Sequence, residues 1–193
     1  MYVRDAKNRD EAWLLEQIDA MGLDDEAFRS RDYVLAVDEQ TNNRVGFGRL
    51  RIHTGEPDVC ELTGIGVLES WRGQGVGGHV IERLIAEAGD ADFETVYVLT
   101  DQPEYLDQFG FVEYDRDALP DALASRIDRK QTRRSGEIAA RGIDTDGFEM
   151  PPRLRDAFKN ATGEADTGAE PPETASDFGI DPDSATYKYD TDS

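Results

Sequence analysis

A single cysteine, Cys60, rules out an intrachain disulfide, and it falls in an apolar stretch where a small buried hydrophobe is its expected role. Positive charge is scarce: 21 basic residues face 42 acidic ones, giving a formal net charge of −21 and a pI near 4.3. Lysine is scarcer still, present only as Lys7, Lys130, Lys159 and Lys188. A surface of this sign is a poor partner for nucleic acid. Its self-repulsion is tolerable where salt screens it, so the composition points to a salt-accumulating, halophilic cell. No signal sequence opens the chain and no apolar run approaches the length of a bilayer span. A cytoplasmic protein with no membrane partner is therefore expected.

What the chain does have is 38% hydrophobic residues in 193, enough for one packed domain and an appendage. Its organising stretch is residues 64–88. A short apolar strand ends near Val67, a loop of glycine and polar residues follows, and a helix begins near Gly77. Val80, Ile81, Leu84, Ile85 and Ala88 recur at helical steps and fix that helix on a sheet. The free N–H groups of its first turn and the positive end of its dipole then favour a phosphate. Gly73, Gly75, Gly77 and Gly78 carry no Cβ, so a diphosphate can approach the backbone closely. The same residues satisfy the dinucleotide pattern G-x-G-x-x-G, with Asp90, Asp92 or Glu94 near the distance of a ribose-binding acid. Against that reading, residues 68–71 intervene between strand and loop, and one clear strand follows instead of a repeated series. A glycine-rich turn without a ligand is the third reading.

Taken in order, Tyr2 and Val3 suggest a first strand and residues 9–21 a helix with Leu14, Ile18 and Met21 on one face. Residues 24–28 read as a second short helix with acids at its start. Residues 33–37 and 45–52 form an antiparallel hairpin across the turn at 40–43. His53 lies in a loop, where a solvated histidine is expected ahead of a base. In the strand 59–67, strict alternation puts Glu61, Thr63, Ile65 and Val67 on one face and Cys60, Leu62, Gly64 and Gly66 on the other. Desolvation in so apolar a strand is expected to raise the pKa of Glu61. Residues 95–99 form a further strand, and a helix from Pro103 to Gln108 ends at Gly110. Arg126, Arg129, Lys130, Arg133 and Arg134 make a basic island, either offsetting nearby acids or holding a carboxylate or phosphate. Beyond it, residues 151–159 read as a short helix and 161–193 as an acidic, flexible tail.

The run Arg72-Gly73-Gln74-Gly75-Val76-Gly77 resembles the coenzyme-A loop, R/Q-x-x-G-x-G/A, of the GNAT family of N-acetyltransferases. Residues 59–67 are similar to that family's fourth strand, and residues 105–111 to its later helix with a Gly-Phe ending. The resemblance covers about the first 115 residues and implies an α/β domain at 1–118: a mixed, mostly antiparallel sheet with flanking helices and splayed central strands. A helical extension at 119–160 and the tail at 161–193 complete the expected organisation.

By the same resemblance, acetyl-CoA is the cosubstrate. Its diphosphate sits on Arg72, Gly73, Gln74, Gly75, Val76, Gly77 and Gly78, and its pantetheine arm on the backbone of Ile65, Gly66 and Val67. Glu61, eleven positions before Arg72, takes the place of the family's general base towards an amine acceptor. The first helices would wall the acceptor site, where Trp13 or Phe28 either touch substrate or pack in the core. Neither a metal nor a covalent intermediate is needed, and Cys60 lacks an adjacent base. Many relatives place a general-acid tyrosine where this chain has Leu106; Tyr105 lies one residue earlier and Tyr114 further on, so that role is unassigned. The implied activity is direct acetyl transfer to a primary amine of a small molecule or protein. The alternative is an idle acyl-CoA sensor or oligomerisation module. Residues 119–127 are faintly similar to N-acetylglutamate synthase-type domains, and a homodimer is the default assembly.

Overall fold

The computed structural model describes residues 1–24, 26–133 and 136–163. Among these residues seven strands form one sheet: β1 (Tyr2–Asp5), β2 (Tyr33–Val37), β3 (Arg44–His53), β4 (Val59–Val67), β5 (Thr95–Thr100), β6 (Val112–Glu113) and β7 (Ala139–Asp144). Among the described residues five α-helices accompany it: α1 (Glu11–Ala20), α2 (Val76–Asp90), α3 (Pro103–Asp107), α4 (Asp121–Arg133) and α5 (Pro152–Lys159). The sheet runs β1-β2-β3-β4-β5-β7-β6, and only β4 and β5 are parallel.

The all-apolar run of β2 is buried on both faces because helices cover both. On one side α2 presses Val80, Ile81, Leu84 and Ala88 onto Val34, Ala36, Val45, Cys60 and Leu62. Gly48 lets it come so close: a Cβ there would stand 2.6 Å from the Val80 side chain. On the other side α1 packs Trp13, Leu14 and Ile18 against Leu35 and Phe47. Trp13 meets Phe47 edge to face at 5.8 Å, and Phe28 lies 5.4 Å from the Tyr33 ring, so both aromatics pack with the core.

Three expectations are corrected. The described residues of the segment 24–28, residue 24 and residues 26–28, are not helical. Ala27 takes a left-handed φ of 52°, and Arg49 captures the Glu26 and Ala27 carbonyls at 2.8 and 2.6 Å, oxygens a helix would need. The segment 119–160 is not purely helical, because β7 inserts between β5 and β6. Alternation along β4 also breaks: Gly64 and Ile65 together oppose only Gly48, a bulge that Gly64 permits with a φ of 58°. Ile65 and Val67 therefore join Cys60 and Leu62 on the α2 side, while Gly66 faces Phe47 and Met21. Arg134 and residues 164–193, including nearly all of the expected acidic tail, lie outside the described residues.

Candidate active site

The parallel contact of β4 with β5 is confined to Cys60 opposite Val96 and Glu61 opposite Tyr97. Past that point the strands part, and the gap is the floor of a cleft of about 650 Å³. Leu62, Thr63, Gly64, Ile65, Gly66 and Val67 line one side; Val98, Leu99 and Thr100 line the other. At one end the cleft reaches Arg72, Gly73, Gly75, Val76 and Gly77. At the other it reaches Asp24, Glu26, Arg126, Arg129 and Lys130.

The glycine-loop end is rich in unanswered donors. Gly75 precedes α2 in a left-handed conformation with φ 79°, and no side chain caps the helix. His79 is the first residue of the turn whose N–H finds a carbonyl, that of Gly75 at 3.1 Å. Among the described residues, the N–H groups of residues 73–78 meet no protein acceptor. Clustered donors at a helix start, with the dipole behind them, make an anion nest. Val76 turns its side chain into the core and Gly78 packs under Phe109, so each offers only backbone. Arg72 is exposed, its Nε donating to the Val67 carbonyl at 3.0 Å. Gln74 is occupied: its Nε2 donates to the carbonyls of Ser70 and Thr162, and its Oε1 accepts from the Thr162 N–H. That clamp, with the Leu154 carbonyl against Gly75, lays the segment from α5 to Gly163 along the loop.

The opposite end centres on Glu61, whose side chain is fully buried. Its carboxylate lies 2.8 Å from His53 Nε2, 2.5 Å from Arg126 Nε and 3.4 Å from Lys130 Nζ. Arg126, 2% exposed, also pairs with Asp24 at 2.8 Å and Glu26 at 3.1 Å. Burial pushes the Glu61 carboxyl up, but His53, Lys130 and Arg126 outweigh it and hold the pKa at about 2. The expected rise is therefore reversed. Leu62, Thr63, Arg126 and Lys130 line the cleft whereas Glu61 does not, so the cations stand between its carboxylate and the opening. Cys60 is buried, and burial followed by the Glu61 charge pushes its thiol up to about 12, which leaves no nucleophilic thiolate.

The structure brings Arg72, Gly73, Gly75, Val76 and Gly77 to one cleft with Ile65, Gly66 and Val67, leaves Gln74 and Gly78 out of its lining, and sets Glu61 behind its wall. Sequence reading missed the Glu61 cage. A signal was present in Arg126, Arg129 and Lys130, spaced to share one face of α4. Sequence reading named Tyr105 without foreseeing its place: Leu106 is 3% exposed in the core, while Tyr105 enters the cleft with its hydroxyl at Gly77.

A mixed sheet splayed at its one parallel pair, with the gap leading to an uncapped glycine-rich helix start, is the acyl-CoA N-acyltransferase fold. Residues 2–111 match the model described as the acetyltransferase (GNAT) family, and the chain belongs to that family. Among solved structures it is similar to N-acetylglutamate synthase of Neisseria gonorrhoeae, crystallised with coenzyme A and N-acetyl-glutamate. The TM-score is 0.60 at 17% identity, covering 72% of this chain and 34% of that one. The chain thus spans about a third of that relative's length. It is also similar to Rv2747 of Mycobacterium tuberculosis, crystallised with coenzyme A, with TM-score 0.59, 18% identity, and coverage of 75% and 99%. Naa50 of Arabidopsis thaliana, bound to a coenzyme-A bisubstrate analogue, gives TM-score 0.55, 13% identity, and coverage of 74% and 97%. At these identities the likeness is one of fold.

Proposed function

We propose that the protein transfers an acetyl group from acetyl-CoA to a primary amine by direct attack. The observation that carries this reading is the row of unpaired N–H groups at residues 73–78, at the end of a cleft floored by the parted β4 and β5. Those amides and Arg72 receive the coenzyme diphosphate, and the open edge of Ile65, Gly66 and Val67 receives the pantetheine amides. A β4 N–H beside the bulge polarises the thioester carbonyl as negative charge develops on it. Asp24 and Glu26 line the acceptor end, where Arg126 pairs with both.

Glu61 keeps a place in this scheme as a positioning residue. A carboxylate held at about 2 and closed off by cations is a weak acceptor for an ammonium proton, but it anchors Arg126 and Lys130 in the cleft wall. Water in the open cleft carries the proton away, and the departing thiolate takes one from solvent, since Leu106 has none to give. These two features also favour a second reading, an acyl-CoA sensor without turnover.

Two measurements in near-molar KCl test the proposal. Calorimetry should show binding of CoA in preference to NAD, and free thiol should appear when acetyl-CoA meets the right member of a panel of primary amines. Heat with NAD but none with CoA would sink the coenzyme site. Tight CoA binding with no thiol from any amine would select the sensor.

A further inference from the structure

Tyr105 projects from α3 into the cleft, and although the residue keeps 41% of its surface, its hydroxyl end is turned inward. The phenol oxygen stands 2.8 Å from where a Cβ on Gly77 would be, so the missing side chain of Gly77 is what admits it. Among the described residues the hydroxyl has no hydrogen-bond partner. Burial raises its pKa, only partly countered by Arg153, so at neutral pH it is a phenol with a proton to donate. Arg153 is itself held beside α3 by Gln108 Oε1 at 2.5 Å.

The hydroxyl stands against the first turn of α2, whose amides are unpaired, and the Arg153 charge acts on it electrostatically. Several donors converging without an acceptor require one from outside, and an anionic oxygen suits them all. Building on the coenzyme reading above, we infer that Tyr105 is a ligand of the coenzyme diphosphate, its hydroxyl donating across the cleft to the phosphate held by the α2 amides. The position argues against the other role open to a tyrosine here, that of general acid to the thiolate. The hydroxyl lies at α2, next to Val67, whereas the bulge where the thioester is polarised begins three residues earlier on β4, about 10 Å of strand away.

The test is the Tyr105→Phe variant, which keeps the ring's edge contact with Phe109 at 5.4 Å and so preserves folding. Calorimetric titrations use CoA and 3′-phospho-ADP, which carries the diphosphate without the pantetheine arm. Loss of one charge-assisted hydrogen bond should weaken both ligands by about tenfold. Gly77→Ala should cause a similar loss by displacing the hydroxyl, and Tyr105→Phe should add little on top of it. Unchanged CoA affinity in Tyr105→Phe would overturn the assignment while leaving the coenzyme site intact. So would a loss for CoA but not for 3′-phospho-ADP, which would move the contact to the arm. Failure of the native protein to bind either ligand would remove the coenzyme site and this ligand with it.

Discussion

Glu61 is the side chain whose chemistry depends most on its neighbours. Its ordinary pKa of 4.5 is depressed to about 2 in the folded chain, so it binds fewer protons folded than unfolded at mild acid. The stability it contributes is fully present above pH 4.5 and is lost as the pH falls from there towards 2. A shift of this size corresponds to about 3 kcal/mol. Glu61→Gln removes that acid-sensitive term and leaves Arg126 and Lys130 with one carboxylate fewer. The variant should therefore be less stable at neutral pH by about 3 kcal/mol, and should lose less than the native protein between pH 5 and pH 2. Urea midpoints across that range are the measurement; parallel acid limbs in the two proteins would contradict the cage. At this scale the sequence showed a glutamate in an apolar strand and, separately, a basic island. Their pairing was not legible because His53, Arg126 and Lys130 reach Glu61 from 8, 65 and 69 positions away along the chain.

Among the elements, the loop before α2 shows how two glycines with similar backbones do different work. Gly73 and Gly75 have φ of 73° and 79°, so alanine at either costs about 1 to 2 kcal/mol of left-handed strain. A Cβ at Gly73 meets nothing within 4 Å, whereas one at Gly75 would stand 2.2 Å from the Leu154 carbonyl. Gly75→Ala should thus push α5 off the loop, with a larger drop in melting temperature and CoA affinity than Gly73→Ala. Equal effects would mean that the α5 contact contributes nothing to the loop. The loop itself was readable from composition, because glycine spacing and helix periodicity are local. By contrast β7, Ala-Ala-Arg-Gly-Ile-Asp, holds little β propensity of its own; it is a strand because β5 and β6 offer it unpaired edges on both sides.

On the scale of the whole molecule, a net charge of −21 on 193 residues sets the conditions under which the chain folds. Unscreened carboxylates repel one another more in the compact state than in the expanded one, so the melting temperature should rise as KCl is raised from low to near-molar concentration. A melting temperature indifferent to salt would contradict that account. Sequence alone determined strands β1 to β5, helices α1, α2, α3 and α5, the glycine-rich loop before α2 and the family resemblance, since each rests on periodicity and spacing within a few turns of chain. Tertiary structure alone decided which carboxylates titrate and which side chains enter the cleft. The Gly64 bulge inverted the faces of β4, and α4 closed its cations over Glu61. The positions of Tyr105 and Leu106 were likewise set by how α3 settles on the sheet. Electrostatics and orientation depend on distances in space, and residues far apart in the chain set those distances only once the core has packed.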